Sequence, residues 1–204
     1  MIGVLNLDMG NLRSVMNSVY QSGFDPVVVR GGDLDDLTHL IIPGVGHFGA
    51  AIAHVEKRSL RKPIQNFVMS GRPLLGSCLG MQLMLEHGEE GGDALGLGLI
   101  EGRVTRLNPD ACQRIPHIGW NEVDFHRDHP LFDGIKSRRD FYFVHSYAAQ
   151  CYNEGVVLGV TDYGGPVAAI IGQDNVIGFQ FHPEKSQVNG LRLIENFCMW
   201  DGKC

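Results

Sequence analysis

The stretch Leu75-Gly76-Ser77-Cys78-Leu79-Gly80-Met81 places one cysteine between two glycines. The run Pro73–Leu75 predicts a strand leading in, and Leu79–Glu86 predicts a helix leading out. Glycines two residues before and two after the cysteine let strand and helix backbones pass close together. The thiol then sits on a tight turn at the C-terminal edge of a sheet, in the pattern G-x-nucleophile-x-G. A helix N-terminus at that point favours an anionic sulfur. A buried cysteine packed between close elements satisfies the same pattern, so the motif alone leaves both readings open.

Outward from this turn, strand and helix periods alternate. Ile2–Leu7 predicts a strand that ends in Asp8-Met9-Gly10-Asn11. Leu12–Gln21 has helical spacing, with Leu12, Val15, Met16 and Val19 on one face and Gly23 as a stop. Pro26–Val29 and Leu40–Ile42 predict strands, and Phe48–Val55 and Pro63–Met69 predict helices. Such an alternation of apolar strands and helices implies a parallel sheet covered on both faces.

Beyond about residue 95 the texture becomes strand-rich: Leu99–Leu107, Glu122–Phe125, Phe141–Ser146, Val156–Thr161, Val167–Ile171 and Val176–Phe181. Turn signals at Asn108-Pro109, Asp133-Gly134, Gly164-Gly165 and Asp174-Asn175 separate them, the last suggesting a hairpin. Leu191–Trp200 returns to helix. The expected fold is α/β: one domain over residues 1–204, three-layered and doubly wound. Its mostly parallel sheet carries an antiparallel extension.

With 204 residues, 44% hydrophobic and 20% charged, the chain can bury a substantial core. A net charge of -6 argues against general affinity for nucleic acid or anionic membrane. No apolar run approaches the ~20 residues of a membrane span, and the first residues lack a signal-peptide pattern. The 5 cysteines are scattered, with no CxxC pair, which suits free thiols in a reducing, cytoplasmic compartment. The 9 histidines lack ligand spacing, so neither a metal nor a cofactor is expected.

A thiol nucleophile needs a base and a group to orient it. In Phe179-Gln180-Phe181-His182-Pro183-Glu184-Lys185-Ser186, alternation up to His182 predicts a strand end, and Pro183 turns Glu184 back toward the histidine. His182 can take the Cys78 proton while Glu184 accepts the other imidazole N–H. A strand-end histidine beside a surface glutamate is the plainer reading, and the elbow cysteine weighs against it. Acyl chemistry also needs an oxyanion hole. Ile42-Pro43-Gly44-Val45-Gly46, between a strand and a helix, offers backbone N–H groups at Val45 and Gly46, and Leu79 offers another. The same glycine-rich loop would suit phosphate binding, though no Walker lysine or GxGxxG accompanies it.

Together, G-S-C-L-G-M-Q, F-H-P-E and P-G-V-G resemble the class I (triad) glutamine amidotransferase family. Four further segments narrow the resemblance: Asp8-Met9-Gly10-Asn11-Leu12, Pro116-His117-Ile118-Gly119-Trp120-Asn121, Phe141-Tyr142-Phe143-Val144-His145-Ser146-Tyr147 and Gly178-Phe179-Gln180-Phe181-His182-Pro183-Glu184-Lys185-Ser186. They are similar to the glutaminase subunits of imidazole glycerol phosphate synthases, and the likeness spans nearly the whole chain. The resemblance implies that Cys78 attacks the glutamine side-chain amide, His182 shuttles the proton and Glu184 holds the histidine. It implies substrate contacts at Gly46, Gln82, Glu90, Ser146 and Tyr147. Ammonia would pass to a (β/α)8-barrel cyclase subunit, forming a heterodimer, with Asn11, Trp120, Tyr142 and Lys185 at or near that interface. The product would be imidazole glycerol phosphate, made with aminoimidazole carboxamide ribotide in histidine biosynthesis.

A solvated Gln82, a loop charge at Glu90 and a core Trp120 are the plainer alternatives. Ser77 departs from the aliphatic residue many relatives carry before the cysteine, which leaves open a paralogue feeding ammonia to amidino-sugar synthesis. A free-standing cysteine γ-glutamyl hydrolase and a non-enzymatic thiol sensor are the other readings. The intact His-Pro-Glu argues against a sensor, which needs only the thiol. The remaining cysteines, Cys112, Cys151, Cys198 and Cys204, are expected to have no function.

Overall fold

The computed structural model describes residues 1–108 and 113–203. The expected turn at Asn108-Pro109 falls partly, and Cys112 and Cys204 wholly, outside the described residues. In chain order the elements are β1 (Ile2–Leu5), α1 (Leu12–Gln21), β2 (Pro26–Val29), β3 (His39–Ile42), α2 (Phe48–Lys57), α3 (Arg61–Met69), β4 (Leu74–Ser77) and α4 (Leu79–Leu83). There follow β5 (His87–Gly88), β6 (Ala94–Leu95), β7 (Gly102–Arg106), β8 (His117–Phe125), β9 (Arg139–His145) and β10 (Tyr147–Cys151). The chain ends through β11 (Val157–Asp162), β12 (Pro166–Gln173), β13 (Val176–Phe179) and α5 (Gln187–Met199).

A nine-stranded sheet runs β2-β1-β3-β4-β13-β12-β11-β8-β9. From β2 to β13 neighbours are parallel, and from β13 to β9 they are antiparallel. The two halves meet at β13, which pairs parallel with β4 and antiparallel with β12. Asp174-Asn175 turns β12 into β13 as the sequence implies, with Asp174 at φ 52°.

The central strands read as unbroken apolar runs because both faces are covered. Along β3, Leu40 and Ile42 face a core shared with Phe48, Ile52 and Val55 of α2 and Ile64 and Phe67 of α3. Ile41 faces the opposite core, with Val15 and Val19 of α1 and Leu193, Ile194 and Phe197 of α5. On β4, Leu74 and Leu75 divide the same way.

Two local expectations change. The strand-rich second half does not form only the sheet extension: β10, β7, β5 and β6 make a separate four-stranded sheet. The helix after Cys78 was expected to reach Glu86 but ends at Leu83. The Met84 and Leu85 amides donate only three residues back, to the Met81 and Gln82 carbonyls, and the Glu86 N–H donates to the Gly102 carbonyl instead of to Gln82, so the α-helical ladder stops there.

The glycines around Cys78 are explained by contact. A Cβ at Gly80 would lie 1.8 Å from the Ile42 carbonyl oxygen, and one at Gly76 would lie 2.5 Å from the Gly80 carbonyl carbon. Both obstacles are backbone and cannot rotate away. Gly80→Ala is therefore expected to lower unfolding stability by at least about 3 kcal/mol in a urea titration. A loss below about 1 kcal/mol would show that β3, β4 and α4 are not held this closely.

Candidate active site

Cys78 sits at φ 51° and ψ -104° between β4 and α4, a backbone conformation an L-residue adopts only under constraint. Its own N–H donates to the Phe179 carbonyl at 2.7 Å, which pins the elbow to β13. Ser77 leaves this geometry intact, and its buried hydroxyl has no partner among the described residues.

The pairing of β4 with β13 places Ser77 beside Phe179, so the residues just past β13 emerge next to Cys78. His182 is fully buried there. Its N–H donates to the Tyr142 carbonyl at 2.8 Å, and its carbonyl accepts from Ser186 Oγ at 2.7 Å. Glu184 Oε1 lies 2.7 Å from His182 Nδ1, with both side chains wholly out of solvent. Nε2, the other ring nitrogen, has no conventional hydrogen-bond partner among the described residues.

Burial by itself would lower the His182 pKa. Interaction with Cys78 and Glu184, through hydrogen bonding and charge, outweighs it and raises the value to about 9. The imidazole therefore holds its proton at neutral pH, with Glu184 on one side and the sulfur within electrostatic reach on the other.

A cavity of about 420 Å³ opens on the sulfur. Val45, Gly46, Cys78, Leu79, Gln82, Glu90, Ser146, Tyr147 and Lys185 line it, with Pro116, Val144 and His145. The five residues expected to contact substrate, Gly46, Gln82, Glu90, Ser146 and Tyr147, thus line one hollow although they come from four segments of the chain. Three larger surface hollows contain none of them.

Several roles are more constrained than the sequence implied. Glu90 is more than a loop charge: its Oε2 accepts from the Phe48 N–H at 2.7 Å, at the start of α2. Gln82 is buried rather than solvated, and its Nε2 donates to the Tyr147 carbonyl at 2.9 Å and to Gln180 Oε1 at 3.2 Å. With both N–H groups committed, its Oε1 is the free end.

Two of the three expected oxyanion donors are engaged elsewhere in this conformation. Val45 N–H donates to the Met9 carbonyl at 3.2 Å, and Leu79 N–H to the Gly44 carbonyl at 3.3 Å. Gly46, at φ 125°, allows the loop a backbone state closed to other residues.

Asn11 was expected near a partner surface. In the structure its Nδ2 donates to Glu184 Oε1 and lies 3.4 Å from His182 Nδ1. Trp120 is 47% exposed and so is not a core residue. Its ring meets Tyr142 edge-on at 5.9 Å, and Lys185 Nζ lies 5.5 Å from the Tyr142 ring centre.

Sequence reasoning missed three polar residues. Gln180, completely buried, approaches the sulfur. His117 and His145 form a buried pair, Nδ1 to Nε2, at 3.0 Å. Desolvation pushes their pKa values down to about 4 and about 3, so both are neutral. His145 Nδ1 donates to the Tyr147 carbonyl at 2.9 Å, which makes its Nε2 the acceptor from His117. The signal was present, since both histidines lie in the strings that carried the family likeness. Among the described residues no group of three or more His, Cys, Asp or Glu could hold a metal, and Cys151 and Cys198 are free thiols, raised by burial to about 11 and about 12.

The elevated His182 pKa links stability to pH. Its contribution is complete below about pH 6.5 and is lost as pH rises through about 9. Glu184→Gln is expected to move the His182 midpoint, followed by NMR, down toward the ordinary histidine value and to flatten that stability loss. An unmoved midpoint would show that Glu184 does not hold the imidazolium.

Residues 5–200 match the family model described as glutamine amidotransferase class-I. The imidazole glycerol phosphate synthase subunit HisH of Desulfitobacterium hafniense is 43% identical over 201 residues, covering 98% of this chain and 94% of that protein. The subunit of the same name from Rhodopirellula baltica is 44% identical over 198 residues, covering 97% and 96%. Among solved structures, PurLQS of Thermotoga maritima superposes with a TM-score of 0.79 at 18% identity, over 97% of both chains. A crystal structure described as a glutamine amidotransferase gives 0.76 at 23% identity, also over 97% of both chains. At such identities the solved structures speak for the fold alone.

Proposed function

The chain belongs to the class I glutamine amidotransferases, among the HisH subunits of imidazole glycerol phosphate synthase, and from that premise we propose how its residues perform the reaction. The observation that carries the proposal is the buried His182–Glu184 pair beside a positive-φ Cys78 that lines the cavity.

Cys78 Sγ attacks the side-chain carboxamide carbon of glutamine. His182 gives its proton to the departing nitrogen, the C–N bond breaks, and ammonia leaves behind a glutamyl thioester. Water then attacks, His182 takes its proton, and the C–S bond breaks with the electron pair returning to sulfur. Glu184 keeps the imidazole in one orientation through both steps. Free Gln82 Oε1 and the second oxygen of Glu90 accept from the substrate's ammonium end, and Ser146 and Tyr147 bind its carboxylate end.

Ammonia passes to a (β/α)8-barrel cyclase subunit, which forms imidazole glycerol phosphate and aminoimidazole carboxamide ribotide in histidine biosynthesis. The exposed Ile118 and Trp120, with Tyr142 and Lys185, form the surface offered to that subunit. Asn11 joins this surface to Glu184. No helix among the described residues is long and apolar enough to cross a membrane, and we place the reaction in the cytoplasm.

The oxyanion hole is incomplete while Val45 N–H serves the Met9 carbonyl. Partner binding turns the Gly44–Val45 peptide so that Val45 N–H faces the sulfur, a rearrangement Gly44 permits. One missing oxyanion donor costs about 10²–10³ in rate, so the isolated chain is expected to release glutamate more slowly than the complex by that factor. Glutamate release from the chain alone, from the chain with a barrel cyclase and its nucleotide ligand, and from Cys78→Ala in that complex tests both points. Equal turnover with and without the cyclase would sink the loop mechanism, and undiminished release by Cys78→Ala would sink the nucleophile.

A further inference from the structure

We propose that Gln180 is a further catalytic residue, its side-chain N–H holding the negative charge on the Cys78 sulfur. The inference rests on the reading of Cys78 as nucleophile. Gln180 Nε2 lies 3.7 Å from Sγ, within hydrogen-bond reach of a sulfur acceptor, and the side chain is fully buried.

The amide orientation is assigned by the structure and not by choice of label. A backbone carbonyl can only accept, so the Gln82 end at 2.9 Å from the Tyr147 carbonyl is its nitrogen. That nitrogen then requires an oxygen at the Gln180 atom 3.2 Å away. The remaining end of Gln180, the one facing sulfur, is therefore the N–H donor. Tyr147 is fixed in turn by His145, which donates to the same carbonyl and is backed by His117. Asn121 Nδ2, 3.4 Å from His117 Nε2, completes the set of oriented bonds.

The sulfur has two different neighbours for its two protonation states. The Val144 carbonyl at 3.9 Å can accept from an S–H and offers nothing to a thiolate. The Gln180 N–H favours the thiolate, because a hydrogen bond to a charged acceptor is about twice as strong as to a neutral one. The donor matters most when the C–S bond of the glutamyl thioester breaks and the electron pair returns to sulfur. A packing glutamine would fill the same space without discriminating between these states.

Gln180→Met preserves length and removes the donor. The probe is iodoacetamide, with alkylation of Cys78 in the full chain followed by mass spectrometry across pH, without glutamine or cyclase. The midpoint of the rate profile is expected to move to higher pH. Alkylation should fall about 10-fold below the midpoint while the high-pH plateau stays unchanged. Should Gln180→Met fail to fold, Gln180→Glu keeps the shape and is expected to move the profile in the same direction. A profile superimposable on the wild type, or a uniform fall that includes the plateau, would overturn the proposal. Because the assay needs no turnover, its failure is separate from any failure of the glutaminase reading.

Discussion

The close crossing of β4, α4 and β3 is the constraint on which the rest of the molecule depends. Two positions without side chains let the backbone of α4 rest against the Ile42 carbonyl and against β4 itself. Only in that crossing is Cys78 forced to a positive φ, at a cost of about 1–3 kcal/mol that the surrounding core offsets. The two apolar cores on either face of the sheet hold the strands that hold the crossing. The strain thus has a purpose at one residue and is supported by many.

The second organising feature is where the sheet changes from parallel to antiparallel. Strand β13 pairs with both halves and delivers Gln180 and His182 beside the elbow. Strand β9 runs past the same point and anchors His182 through the Tyr142 carbonyl. His182 is consequently tied by a backbone bond to the strand that also presents Tyr142 next to exposed Trp120. The buried imidazole and the exposed aromatic pair share one rigid element.

Much of this was legible in sequence. The helix Leu12–Gln21 and the strand Pro26–Val29 fall at their predicted bounds because local periodicity and turn residues decide them. The pair His182 and Glu184 was readable because the proline between them fixes a short local geometry. The helix after Cys78 stops short of its apolar periodicity because the Glu86 N–H pairs with the Gly102 carbonyl, a partner far enough along the chain that no local pattern shows it. The separate four-stranded sheet was missed for the same reason: β7 finds its partners in β10 and β5, not in its sequence neighbours.

The elbow at Cys78, the adjacency of His182 and Glu184 and the family were all readable from short strings whose chemistry constrains their own spacing. Packing between distant segments settled which end of Gln180 faces the sulfur, that Asn11 reaches Glu184, and that Val45 and Leu79 have their N–H groups engaged. These depend on distances between segments more than a hundred residues apart, or between loops whose conformations a local pattern leaves free. A hydrogen bond is satisfied by whatever the fold brings within about 3 Å, and that is a property of packing rather than of sequence.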